Sequence, residues 1–373
     1  MTDWETNRAR LELFTSVLPR AVGGARAARR GDPPRGVPPS AAGARVVGES
    51  AIDELFIAIN SVTRKIPDVA TIAARIDSCA AVAHELSALG VAGANPRPPT
   101  ATITRMTSKV FGTNKFQLVD YRADIALPDP VAGADQYSGQ PASMRMMRAG
   151  GAGKRWIVWV HGAAQGRPDD LYAFRAAALH QILGYEVVLP VLPAHGRRRI
   201  TGVSYPGIDP LTNVAVSLRA IAEIRSLIRW IATQDPSEIV VAGTSLGGPL
   251  AAMVASLAPE VGSVLAVVPM LDMHATLAHH MDRGGRRGRE LAGLMRDPAV
   301  GAVSSVVDPL AVEPIPVNGR RMVVAALNDR VTSVRSAQRL HDHWDGRVHW
   351  FRGSHVGHAF SPNVRTVVDG FLA

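Results

Sequence analysis

The sequence has a single cysteine, Cys79, in 373 residues. One thiol excludes an intramolecular disulfide framework and any multi-cysteine zinc site, and Cys79, inside a helical pattern, reads as a small buried apolar residue. Lysine is almost missing too: there are four (Lys65, Lys109, Lys115, Lys154) against 37 arginines. A formal charge of +9 invites a nucleic-acid reading. The skew, however, accompanies abundant Ala, Gly and Val, as GC-rich codon usage would spread over a surface, so no nucleic-acid partner is expected. No uncharged apolar run reaches membrane-spanning length, and no transmembrane segment is expected. Residues 1–7 show no basic stretch leading into an apolar one, so no signal peptide is apparent and a cytoplasmic location is the expectation. The pattern His-Glu-x-x-His is absent, and the grouped histidines (His274, His279 and His280; His341 and His343) lack metal-ligand spacing. No metal and no cofactor are expected.

What is present is globular. Apolar residues make up 47% and charged residues 20%, and the length allows two or three domains. Two regions differ in periodicity. In the first, Ile52, Leu55, Phe56, Ile59 and Val62 recur at helical steps. A second helix is expected from Asp68, as its N-cap, to Leu89, with Gly90 as its stop. Residues 91–100 (VAGANPRPPT) then read as a linker. Beyond it come short, strongly apolar runs: 156–160, 186–192, 239–242, 264–270, 322–327 and 348–351. Such runs suit strands buried on both faces. Helical patterns lie between them at 171–183, 213–233, 248–257 and 333–344, which predicts an α/β protein with a mostly parallel sheet flanked by helices.

The strongest local signal is Gly243-Thr244-Ser245-Leu246-Gly247, a G-x-S-x-G between a buried strand and a helix. A serine at the tip of such a turn is held in a strained backbone, and small neighbours are needed where strand and helix pass closely. The turn also presents the first amides of the helix, where negative charge is favoured.

This segment resembles the nucleophile elbow of the α/β-hydrolase fold, the serine hydrolases of esterase, lipase and thioesterase type. Other pieces come in the family's order. The strand ending in His161-Gly162-Ala163-Ala164 is similar to the oxyanion loop. The resemblance implies backbone donors at Leu246 and Ala163, with Ala164 as second choice, and candidate substrate contacts at His161, Gly162, Thr244 and His195. The strand running into Asn328-Asp329 is similar to the loop holding the triad acid, making Asp329 the candidate and Asp272, after the preceding strand, its rival. The Gly353-Ser354-His355 turn after the last strand is similar to the loop holding the base, so His355 is preferred and His358 is the alternate. The order Ser, Asp, His is the one this fold uses.

These residues together imply a serine hydrolase acting on a small-molecule carboxylic ester or thioester through an acyl-serine. The competing readings are a catalytically silent member of the fold serving as a binding or interaction protein, or an acyltransferase or peptidase on the same triad. The expected organisation is a helical N-terminal extension and linker over 1–104 and a catalytic domain over 105–373. Within it, 272–320 is a candidate lid, whose arginines (Arg283, Arg286, Arg287, Arg289) read as a solvated flexible loop, with capture of an anionic substrate or membrane surface as the competing reading.

Overall fold

A computed structural model of the chain describes residues 11–30, 33, 35–40, 43–63 and 68–373. Its centre is one nine-stranded sheet. The strands are β1 (Thr102–Phe111), β2 (Asn114–Arg122), β3 (Ala142–Met147), β4 (Arg155–Val160), β5 (Tyr185–Val191), β6 (Glu238–Thr244), β7 (Ser263–Val267), β8 (Arg321–Ala326) and β9 (Arg347–Phe351). They lie in the order β1-β2-β3-β5-β4-β6-β7-β8-β9. The first three strands run antiparallel to their neighbours, and the rest of the sheet is parallel.

The solid apolar runs are explained by burial on both faces. In β4, Trp156, Val158 and Val160 join the core on one side, with Ile221, Ile224 and Leu227. Ile157 and Trp159 point to the other, with Leu179 and Phe371. Alternate residues thus enter different cores, so no position in the strand is free to be polar.

The longer helices among the described residues frame this sheet. Those before it are α1 (Val17–Arg30), α2 (Ala44–Thr63) and α3 (Val69–Ala94). The others are α4 (Pro210–Ala232), α5 (Gly247–Leu257), α6 (Met273–Met281), α7 (Gly285–Met295), α8 (Pro298–Ser304), α9 (Val334–Trp344) and α10 (Pro362–Leu372). Among the described residues, no helix is long and apolar enough to cross a membrane.

Several expectations need correction. Asp68 occupies the N-cap of α3 without a capping side-chain bond, and Gly90 kinks the helix at φ +65° instead of ending it. The supposed linker therefore begins as a last helical turn. Its remainder is tied down: Arg225 donates to the carbonyls of Asn95 and Pro96, and Ala101 N–H to Ser226 O. The helix expected over 171–183 is two short pieces, Asp170–Ala173 and Ala176–Gln181, separated at Arg175, which is left-handed (φ +54°). The run 264–270 is a strand only to Val267, because Val268 turns to φ +43°.

Of the arginines of 272–320, Arg286, Arg287 and Arg289 lie on helix α7 and not in a loop, and Arg283 sits in the turn before it. The insertion packs on the N-terminal helices, with Leu277, Leu291, Met295 and Val300 clustered against Ile72 and Ile76 of α3. Arg283 turns inward to Glu54 at 2.8 Å, and Arg286 pairs on the surface with Glu290. Cys79 is buried as expected, in a cluster with Leu86, Leu211 and Val303.

The largest departure is in α2. Its spacing forms a helix as predicted, but Ile52, Leu55 and Ile59 are 48%, 41% and 46% exposed while Asp53 and Glu54 are buried. The helix turns its acidic residues inward.

Candidate active site

Ser245 follows β6 at the tip of a turn and adopts φ +55°. Its neighbours must be glycine for steric reasons. A Cβ on Gly243 would stand 2.0 Å from Gly247 O, and one on Gly247 would stand 2.2 Å from Val160 O. Both obstacles are backbone, which cannot step aside as a side chain can. The turn is also laced to the sheet: Ser245 N–H donates to Val267 O, and Met270 N–H donates to Ser245 O.

Opposite stands the loop after β9. His355 Nε2 is 3.0 Å from Ser245 Oγ, and its Nδ1 is 2.8 Å from Asp329 Oδ2. Asp329 follows β8, and its carboxylate also accepts the N–H groups of Val331 and Thr332 and the Thr332 hydroxyl. Burial pulls the His355 pKa down, but the Asp329 carboxylate, by charge and hydrogen bond, and the charge of Asp53 outweigh it, so the imidazole is held above its ordinary value. A ring placed between a hydroxyl and a carboxylate can take a proton on one nitrogen while the other is held in a fixed tautomer.

Leu246 opens the helix after Ser245, and the 161–164 loop follows β4 beside it. A Cβ on Gly162 would lie 3.2 Å from Ser245 Cβ, so a side chain there would crowd the serine by a few tenths of an ångström. The Gly162 N–H is taken by Gln165 Oε1 at 2.6 Å. Among the described residues, no protein acceptor takes the N–H of Leu246 or of Ala163. Ala164, the second choice, sits at φ +62°.

The remaining sequence candidates do other things. Asp272 caps α6, accepting from Ala275 N–H. His358 Nδ1 meets the His355 carbonyl at 2.6 Å, and burial lowers its pKa to about 4. His161 bonds Gly162 O through Nδ1 and accepts Leu192 N–H at Nε2. Its pKa is pushed well below the usual value, by burial first and then by His195. His195 bonds Pro193 O, with its ring edge-on to His161 and Tyr205. Thr244 accepts the indole N–H of Trp159. Asp272 thus holds a helix end, Thr244 ties β6 to β4, and His161, His195 and His358 hold loops that follow strands.

Ser245, Asp329 and His355 converge beyond the carboxyl ends of parallel strands, where open α/β sheets place their ligand sites. An acetyl xylan esterase from Paenibacillus sp. R4 is similar in structure over 83% of this chain and 96% of its own, with a TM-score of 0.51 and 16% identity. The chain has the α/β-hydrolase fold.

Further likenesses accompany it. A family described as alpha/beta hydrolase domain containing 18 matches residues 157–284, about a third of the chain. Two uncharacterized proteins of Mycobacterium tuberculosis, from strains CDC 1551 / Oshkosh and H37Rv, are each 34% identical over 224 residues. The match spans 58% of this chain and 53% of each relative, so the chain spans about half the length of the curated relatives it matches.

Sequence reasoning missed a part of this α/β-hydrolase site that comes from outside the strand-end loops. Asp53 Oδ1 accepts the Ser354 hydroxyl (3.0 Å) and Val356 N–H (2.9 Å), and Oδ2 accepts His355 N–H (2.8 Å) and Arg330 N–H (3.1 Å). Glu49 Oε2 accepts Ser354 N–H at 3.2 Å, at a point where a Cβ on Gly357 would lie 2.3 Å from it. Glu54 holds the guanidinium groups of Arg330 and Arg283. Burial raises the Asp53 pKa to about 6, with the His355 charge and the N–H donors pulling against it and Asp329 reinforcing it. The signal available in the sequence was two adjacent acids within an otherwise apolar helical repeat.

Proposed function

We propose that this chain is a serine hydrolase that cleaves carboxylic esters or thioesters through an acyl-serine intermediate. The observation that carries the reading is the continuous contact from hydroxyl to imidazole to carboxylate, at 3.0 Å and 2.8 Å. A serine hydroxyl is protonated at neutral pH and is a weak nucleophile without an adjacent base. His355 accepts the Ser245 proton as Oγ attacks the acyl carbon. Asp329 keeps the other ring nitrogen protonated and stabilises the imidazolium that forms. The N–H groups of Leu246 and Ala163 receive the negative charge developing on the acyl oxygen, which is typically worth about 3 kcal/mol of barrier per donor. His355 then returns the proton to the departing alkoxide or thiolate. Water attacks the acyl-serine by the same route in reverse, releasing the carboxylic acid and free Ser245.

The test is labelling with a fluorophosphonate, together with turnover of p-nitrophenyl esters of graded chain length and of acyl-CoA. The parent should label and turn over at least one series. Ser245→Ala should do neither while keeping the parent melting temperature. A parent that neither labels nor turns over any ester would overturn the hydrolase reading in favour of a binding protein on the same fold.

A further inference from the structure

Helix α2 breaks the ordinary rule of burial. It leaves Ile52, Leu55 and Ile59 substantially exposed and encloses Asp53, whose side chain has no solvent contact. Among the described residues no arginine or lysine pairs with Asp53. Its compensation is four hydrogen bonds, three of them from consecutive residues of the histidine loop and one from the residue after Asp329. A buried carboxylate in such a place is costly to stability, and local rules are broken mainly where function requires it.

We propose that Asp53 is a positioning residue for the hydrolytic site, holding the 354–356 backbone and the acid loop in register so that His355 spans Ser245 and Asp329. The proposal rests on the serine hydrolase reading. Asp53 does not touch the imidazole ring in any hydrogen bond and acts in two ways. Its oxygens fix the backbone of His355 directly, and its negative charge favours the imidazolium that forms when Ser245 is deprotonated. The charged groups acting on it are His355 and Asp329, with Arg330 giving it a backbone N–H. Beyond them Glu54 on its own helix pairs with Arg330 and with Arg283 from the insertion, Glu49 holds Ser354 N–H, and His358 and His280 interact with Asp329. Through Asp53, a helix about 300 positions away in sequence becomes part of the catalytic geometry.

Asp53→Asn in the full chain tests this. An amide can serve only one of the two donor pairs, so the loop loses hold and kcat should fall roughly 10- to 100-fold with KM little changed. Loss of the charge should also move the acid limb of kcat/KM to lower pH, because His355 then binds its proton less tightly. A merely structural role would not move that limb. Parent kcat and an unmoved limb in folded Asp53→Asn would overturn the proposal. If that variant does not fold, Ser354→Ala decides. It removes one bond to Oδ1 and keeps the charge, so kcat should drop about 3- to 10-fold with the limb in place, and parent kcat would again overturn it. Failure of the hydrolase reading itself is seen separately, as a parent inert to fluorophosphonate. Histidine ring NMR then still tests the charge contact: the His355 pKa should be lower in Asp53→Asn, and an identical value overturns it.

Discussion

Around Ser245 the constraints are mainly steric: Gly243 clears Gly247 O within the turn, Gly247 clears Val160 O at the end of β4, and the serine's own backbone bonds the segment at the end of β7. The loop bearing His355 is held otherwise, by Asp53 and Glu49, which act across 302 and 305 positions respectively. Both loops leave neighbouring parts of one parallel sheet and meet within 3.0 Å. One is shaped by steric necessity against its own turn and the adjoining strand end, the other by polar contacts from a separate helical layer. A steric constraint tolerates almost no substitution, whereas a hydrogen-bonded one fails by degrees. Variants should therefore separate the two loops by the form of their failure as well as its size.

The largest expected effect lies where the two loops meet. Asp329→Ala removes the carboxylate from His355 Nδ1, and turnover of an ester substrate should fall about 10³- to 10⁴-fold. Asp272→Ala removes only a cap from α6, expected to cost about 1 kcal/mol of stability and to leave turnover within a few-fold of the parent. Steady-state kinetics of the two variants side by side checks this. A reversed ranking would transfer the acid role to the earlier strand.

Next in size is the steric side of the comparison. Gly247→Ala introduces a Cβ that must stand 2.2 Å from Val160 O, and neither backbone can yield without moving β4 from β6. A loss of about 3 kcal/mol or more is expected, read as a melting temperature lower by roughly 4 °C or more for a chain of this length. Labelling of Ser245 should be lost with it. A variant with parent stability would mean that the elbow is looser than its contacts imply, and that the contrast between the loops is false.

The same contrast explains what could be read from the chain before its fold was known. The elbow was legible because Gly243, Ser245 and Gly247 answer to one another within five positions. Strand β4 was legible because both faces are buried, so every position from 156 to 160 is apolar. Asp329 could be read because it comes shortly after a strand of that kind, and His355 because it follows the last, partly exposed strand in the small-residue turn Gly353-Ser354. Helix α2 was legible as a helix but not in its orientation. Periodicity reports which residues share a face, and Ile52, Leu55 and Ile59 do share one, yet the face against the core carries Asp53 and Glu54. That choice depends on donors at 330 and 354–356, which nothing local to α2 reveals. The helix over 171–183 failed for a similar reason. Arg175 leaves the helical region to pair with Asp369 on α10, a contact 194 positions away.

The smallest effect separates two histidines within one loop. His355 and His358 lie three residues apart with ring centroids at 6.4 Å, but their pKa values move in opposite directions. His355 is held above its ordinary value of 6.5. Because the reaction needs the neutral ring, turnover should fall as pH drops through a midpoint above 6.5. His358 is held down at about 4 by burial and stays neutral throughout that range. His358→Ala should therefore keep the position of the acid limb and lower turnover only a few-fold. Its cost at pH 8 should be about 1 kcal/mol, from the lost bond to the His355 carbonyl. That cost should shrink and then reverse toward pH 5. In the parent, the unfolded chain gains a proton at His358 below 6.5 and the folded chain does not until about 4, so the parent loses about 2 kcal/mol there that the variant keeps. Melting temperatures of both proteins at pH 8 and pH 5, with their kcat/KM profiles, measure all of this. If His358→Ala abolished turnover while His355→Ala stayed near the parent rate, the base would be the wrong histidine, and the carboxylates of α2 would be holding a loop for some other purpose.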